Sequence, residues 1–250
     1  QGLLYGHGFF ETIRVDEGNI GHLNAHIHRL NHTWKHLFSG EPPDVTWDEI
    51  IHQVIVQNRL LHETAAVKII VTRGDRESPP FNHTLLVTAR PYTHRLAAKK
   101  VKGINLAVYP HPRQTPLADH KTLNYLYYVL AGKWAMGQNT DEALIVNPDH
   151  TVSETNTANI LLIKDNTVTK PVSLHVLPGI MDTVVCEYLN ARGFTIENNR
   201  IFVEDLFSYD EIMMTNSLIG TVPVLSIDGK KLPECSDLWE QINKALLYPS

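Results

Sequence analysis

Apolar runs with strand spacing and apolar stripes with helix spacing follow one another along both halves of this chain without strict alternation. That order limits the fold more than any single motif. Residues 8–15, GFFETIRV, read as a strand ended by the turn DEGN at 16–19. Leu23, Ile27, Leu30, Trp34 and Leu37 fall at helical spacing, so 22–38 is expected to be a helix with one apolar stripe. Residues 47–61 predict a second amphipathic helix, with Thr46 at its N-cap. Strands are expected over 65–74, 83–92 and 101–112. RQTPLADH, 113–120, reads as a loop and as the junction between two domains. Beyond it come a helix starting at KTLNYL, strands and turns over 141–171, and a helix opened by Pro-Gly over 177–194. A short helix near 203–208, a strand at 211–217, a hairpin over 222–232 with an Asp-Gly turn and a last helix over 236–247 complete the reading. A doubly wound sheet needs regular alternation. This order predicts an α+β or mixed two-domain protein, with an N-terminal domain over 1–112, a linking loop at 113–119 and a C-terminal domain over 120–250.

With 250 residues the chain can build one large domain or two. Its net charge of -5 gives no basic footprint for nucleic acid. No apolar run approaches the roughly 20 residues of a membrane span. No secretory leader is visible, and a cytoplasmic setting is expected. Cys186 and Cys235 lack a CxxC spacing and read as small core or surface residues, not as a disulfide. The phosphate loop GxxxxGK[ST], the GxSxG elbow and HExxH are absent. The GxG at Gly6–Gly8 precedes a strand, whereas the dinucleotide fingerprint follows one and opens a helix.

Four features could carry chemistry. Lys121 stands before an apolar and aromatic helix. An amine held in a water-poor pocket has a lowered pKa and serves as nucleophile or general base, although a lysine at a helix edge more often snorkels. LPGIM, 177–181, precedes a helix, and backbone N–H groups at a helix start suit an anion; alone, Pro-Gly there is usually a turn. Glu154 lies where one strand ends and the next begins, and its carboxylate can accept from a protonated ring nitrogen, or be a solvated turn residue. Arg29 sits within the helix of the Trp34 stripe. A buried arginine prefers a planar partner such as phosphate or carboxylate; a surface salt bridge is the plainer alternative. An amine for an imine, a site for a phosphate and an acid for a pyridinium nitrogen are the parts that hold pyridoxal phosphate.

The stretches YGHGFFETIRV (5–15), HIHRL (26–30), KTLNYL (121–126), DEALIVNPDHTVSETNTANILLI (141–163), LPGI (177–180) and TNSLIGTVPV (215–224) together span nearly the whole chain. In order and spacing they resemble the class IV, fold type IV family of pyridoxal-phosphate enzymes, which includes branched-chain and D-amino acid aminotransferases and aminodeoxychorismate lyases. The resemblance implies a smaller N-terminal domain, a larger C-terminal domain with a barrel-like sheet, the cofactor between them, and a homodimer. It makes Lys121 the imine lysine, Arg29 the phosphate grip and Glu154 the partner of the ring nitrogen. The backbone of Ile180 and Met181, with the Ser217 hydroxyl or a neighbour, would complete the phosphate cup. Two positions depart from the family: His7 stands where an Asp is usual, and Met181 where transaminases commonly have Thr.

KTLNYL and TNSLIGTVPV look more like the lyases than the transaminases. Branched-chain enzymes tend to carry a tyrosine five residues after the lysine; here that position is Leu126, and Tyr125 is one short. D-amino acid enzymes bring an Arg-x-His pair on the loop after the TRG strand, where this chain reads RGDRESPPFNH. The expected reaction is therefore conversion of 4-amino-4-deoxychorismate to 4-aminobenzoate and pyruvate, which would feed folate synthesis. A class IV aminotransferase is the alternative. Arg14, Arg73 and Arg76 are candidates for substrate carboxylates. His22 with His26, and His28 with His32, are pairs at i,i+4 that could hold zinc, but no nearby Asp, Glu or Cys supplies a third ligand, and no metal is expected.

Overall fold

A computed structural model describes residues 1–38, 40–74, 83–100 and 102–247. The chain divides into two compact units: 1–94 with 120–125, and 95–119 with 126–250. No helix among the described residues is long and apolar enough to cross a membrane.

The first unit holds α1 (Gly2–Tyr5), β1 (Gly8–Asp16), β2 (Asn19–Ile20), α2 (Leu23–Phe38), α3 (Trp47–Gln57), β3 (Thr64–Arg73) and β4 (His83–Pro91). The strands form an antiparallel sheet in the order β2-β1-β3-β4. Alternation along β1 sends Phe9, Ile13 and Val15 into a core shared with Leu30, Trp34 and Phe38 of α2 and Ile51 and Ile55 of α3. The α3 helix stops earlier than its apolar pattern does. Asn58 caps it, and Arg59 turns left-handed at φ 60°, so Leu60 folds back into the core.

The second unit holds β5 (Ile104–Val108), α4 (Leu126–Gly137), β6 (Glu142–Val146), β7 (Val152–Thr155), β8 (Asn159–Lys164), β9 (Thr167–Pro171), α5 (Ile180–Asn190), β10 (Thr195–Asn199), a 3-10 turn (Glu204–Ser208), β11 (Glu211–Asn216), β12 (Gly220–Ile227), β13 (Lys230–Lys231) and α6 (Leu238–Leu246). Its sheet has nine strands in the order β10-β9-β8-β11-β12-β5-β6-β7, with β13 added to β12. Parallel pairs (β9/β10, β5/β12, β5/β6) mix with antiparallel ones. One core packs Ile104, Leu106, Leu144, Leu162 and Met214; another packs Leu161 and Met213 with Met181, Val185 and Leu189 of α5. The Asp-Gly turn expected before β13 is present: Asp228 and Gly229 both have positive φ, 48° and 76°, which suits a two-residue hairpin.

These units differ from the boundaries drawn at 113–119. β5 is hydrogen-bonded between β12 and β6, so residues 95–112 belong to the larger unit. Residues 120–125 belong to the smaller one, because they lie along β1: Phe10 N–H donates to Lys121 O and Leu123 N–H to Gly8 O, both at 2.9 Å. Those bonds also explain why no helix begins at Lys121; the helix starts at Leu126.

Candidate active site

In the first unit, the backbone of Lys121 is pinned to β1, and its side chain is half-buried. The Nζ lies 4.9 Å from the centre of the Phe10 ring and 5.5 Å from that of Tyr125. Those two rings meet edge to face at 5.3 Å. Two aromatic faces limit the water around the amine and hold it by cation–π attraction. Lys121 does not project into bulk solvent along a helix edge.

Arg29 approaches β1 from α2. Its Nε donates to Glu11 Oε1 at 2.7 Å and its Nη2 to Glu11 Oε2 at 2.6 Å. His26 Nδ1 lies 2.8 Å from Glu11 Oε2. Burial would raise the Glu11 carboxyl, but the hydrogen bonds from Arg29 and His26, with their charges, outweigh it and bring it down to about 2. Glu11 and Phe10 alternate along the strand, so Arg29 and the Phe10 ring lie on opposite faces of β1.

In the second unit, β7 carries Glu154, which is buried. The Tyr128 hydroxyl, on α4, donates to Glu154 Oε1. The Leu177 N–H donates to Oε2 at 3.2 Å. Arg113 Nη1 lies 3.6 Å from Oε1, and its guanidinium stacks 4.6 Å above the Tyr128 ring. Glu154 is therefore no solvated turn residue. It is an oriented acceptor braced by an arginine and a phenol.

The Leu177 turn joins Glu154 to the start of α5. Asn159 Nδ2 donates to Leu177 O at 2.8 Å, so both backbone polar groups of Leu177 are tied to the sheet. Gly179 is the N-cap, and no side chain caps the helix. A Cβ on Gly179 would lie 1.9 Å from Asn159 Oδ1, so only glycine lets the turn pass this close. Among the described residues the N–H groups of Ile180 and Met181 make no hydrogen bond. Such first-turn donors suit an anion. Ser217 sits in the turn from β11 to β12, shaped by Asn216 Oδ1, which accepts from the N–H groups of Leu218 and Ile219 at 2.9 and 3.0 Å.

The structure thus places Lys121 and Arg29 against β1 in the first unit, Lys121 through its backbone and Arg29 through Glu11, and joins Glu154 to the turn before α5 in the second. Of the carboxylate candidates, Arg14 forks onto Asp16, with Nε–Oδ2 2.5 Å and Nη2–Oδ1 2.9 Å, and stacks on Tyr92. Arg73 donates to Phe38 O at 3.3 Å. Arg76 lies outside the described residues. His7 hydrogen-bonds the Gln1 side chain at 3.0 Å and packs edge-on against Phe38. Both cysteines are free thiols, and burial pushes Cys186 up to about 12 and Cys235 up to about 11, which disfavours the reactive thiolate.

The family model described as amino-transferase class IV matches residues 8–227. A putative branched-chain-amino-acid aminotransferase of Methanocaldococcus jannaschii is 32% identical over 92% of this chain and 82% of its own length. The chain belongs to the class IV amino-transferase family. Among other members, an aminodeoxychorismate lyase of Vibrio harveyi is 31% identical over 90% of this chain and 84% of its own. Solved structures agree in fold. A putative 4-amino-4-deoxychorismate lyase from Legionella pneumophila superposes with a TM-score of 0.87 at 24% identity, covering 98% of this chain and 92% of that one. The Escherichia coli branched-chain amino acid aminotransferase gives 0.88 at 23%, covering 98% and 86%. The fold is that of the fold type IV enzymes.

Three residues in contact with the candidate groups escaped the sequence reading: Arg113 and Tyr128, which brace Glu154, and Glu11, which pairs with Arg29. Arg113 opens a loop and Tyr128 stands in an aromatic run, so nothing local marks either. Glu11 offered one signal: a charge among the alternating apolar positions Phe9, Ile13 and Val15 of one strand face.

Proposed function

We propose that this chain binds pyridoxal 5'-phosphate and acts as a 4-amino-4-deoxychorismate lyase, releasing 4-aminobenzoate and pyruvate. The observation that carries the cofactor is the α5 start: an uncapped helix with a glycine N-cap, tied through Leu177 to a buried, oriented carboxylate. Phosphate donors and a ring-nitrogen acceptor are thereby built into one piece of backbone.

In this reading the N–H groups of Ile180 and Met181, the Ser217 hydroxyl and the Arg29 guanidinium take the phosphate. Glu154 accepts from the ring nitrogen, and Arg113 and Tyr128 keep its carboxylate in place. The Lys121 amine holds the aldehyde carbon. When bound, the cofactor supplies an electron sink for the carbon bearing nitrogen. Once displaced from the aldehyde carbon by the substrate's amine, Lys121 would serve as general base and take the C4 proton. The bond from the ring to the enolpyruvyl oxygen would break with the electron pair leaving on that oxygen. Enolpyruvate would take up a proton and tautomerise to pyruvate, and the ring would become aromatic, which drives the reaction forward. The two rings beside Lys121 Nζ would limit the water near that proton transfer.

Leu126, Val129, Leu130 and Met136 leave an apolar stripe of α4 exposed, which suits a second copy of the chain and supports a homodimer. The lyase reading draws on the KTLNYL and TNSLIGTVPV segments and on the Vibrio harveyi relative. The Methanocaldococcus jannaschii relative favours a second reading, a class IV aminotransferase. The purified protein should release pyruvate from 4-amino-4-deoxychorismate without any keto-acid acceptor, and Lys121→Ala should lower that rate about 10³-fold. A strict need for 2-oxoglutarate would overturn the lyase and leave the aminotransferase. A protein whose Lys121 is not labelled by borohydride in the presence of pyridoxal phosphate would overturn both.

A further inference from the structure

Asp182 is an acid in an awkward place. It is the third residue of α5, directly after Ile180 and Met181, and it is buried. Helix side chains lean toward the N-terminus, so its carboxylate lies alongside the first turn. A carboxylate there ordinarily accepts from the open N–H groups of its own helix or gains from their field. This one is drawn elsewhere. Lys170, reaching over from β9, pairs with Oδ2, and Oδ1 accepts from nothing among the described residues. Burial raises the Asp182 carboxyl, and the charge and hydrogen bond of Lys170 only partly offset that. A buried ion pair seldom stabilises a fold more than well-packed apolar residues of the same size would, so stability alone does not account for this one. Its geometry gives a second reason: the N–H groups of Ile180 and Met181 stay open beside an acid placed to take them.

We propose that Lys170 is a positioning residue for the anion site at the start of α5: it draws the Asp182 carboxylate toward β9 and neutralises it, so that the N–H groups of Ile180 and Met181 stay available to the phosphate of a phosphorylated cofactor. This rests on the pyridoxal phosphate reading. Lys170 acts through Asp182 and not on the reacting atoms. Without the lysine, an ionised Asp182 would meet the phosphate as a like charge, or would cap the helix in its place. Either way the effect falls on the phosphate and spares the rest of the cofactor.

The test compares pyridoxal phosphate with pyridoxal, which lacks the phosphate, by absorbance titration at about pH 8, which favours ionised Asp182. In Lys170→Gln the dissociation constant for pyridoxal phosphate should rise about tenfold, while that for pyridoxal stays within about twofold. Adding Asp182→Asn to that variant should bring the constant for pyridoxal phosphate back to within about threefold of wild type, because no acid is left to hold off. A pair that merely ties β9 to α5 behaves otherwise: both ligands weaken alike, or the double variant is no better than the single. Either result would overturn the proposal, as would no change in Lys170→Gln. If Lys170→Gln fails to fold, Asp182→Asn decides the matter alone. Its uncompensated lysine should make pyridoxal phosphate bind about threefold more tightly relative to pyridoxal; an unchanged or weaker preference overturns the proposal. A wild-type chain that binds neither ligand overturns the cofactor reading and this role of Lys170 with it; wild-type binding with unaltered selectivity in the variants overturns the role of Lys170 alone.

Discussion

At the scale of single residues, Glu11 also makes stability depend on pH. Its carboxyl is brought from an ordinary 4.5 down to about 2 in the folded chain. A depressed carboxyl contributes stability that is fully present above the unfolded value and is lost as pH falls through the folded one. The window therefore runs from about 4.5 down to about 2. Urea unfolding at pH 5 and at pH 3 should show the wild type losing stability over that interval, and Glu11→Gln losing distinctly less. Equal losses in the two chains would mean that Glu11 is not held ionised by Arg29 and His26. The sequence showed Arg29 as a residue suited to a planar phosphate or carboxylate, with a salt bridge as the plainer alternative. It could not show that a carboxylate of this same chain takes one edge first, because Glu11 and Arg29 stand on different elements and meet only once β1 and α2 have packed.

Elements were legible where their apolar period was strong. The stripe read over 22–38 became α2, Leu23–Phe38, with Leu30 and Trp34 buried and Leu23, Ile27 and Leu37 packed at its margin. Trp34 meets Phe9 and Phe38 edge to face, with ring centres 6.3 and 5.1 Å apart. Trp34→Ala should cost about 3–5 kcal/mol, the range for emptying a large aromatic site, and thermal unfolding would measure it; a loss under about 1 kcal/mol would mean that α2 does not anchor this core. Where tertiary pairing competes with local preference, the reading failed. KTLNY has helical neighbours on its C-terminal side, yet β1 offers an open edge for its backbone, and the hydrogen bonds at Phe10 and Leu123 hold it extended. Glu154 and LPGI were visible as separate, individually weak motifs. Their union through Leu177 depends on a turn whose course is set by Gly179 and Asn159; Gly179 was visible as part of a Pro-Gly turn, but Asn159 carries no signal of its own.

For the whole molecule, a loop rich in polar residues and proline suggested a cut at 113–119, yet the chain enters the larger unit at 95, returns to the smaller for 120–125 and leaves it again at 126. Composition marks flexible backbone; it does not say which sheet a preceding strand joins. β5 decides the matter, since it sits between β12 and β6 with Ile104 and Leu106 wholly buried. A chain consisting of 113–250 alone would lack that strand, open two interior edges of the sheet and expose part of the core, which invites edge-to-edge association. It should be aggregated in size-exclusion chromatography and should unfold without a cooperative transition, whereas the full chain should unfold cooperatively. A monodisperse 113–250 fragment with a sharp transition would mean that the larger unit closes without β5, and that the loop is the true boundary after all.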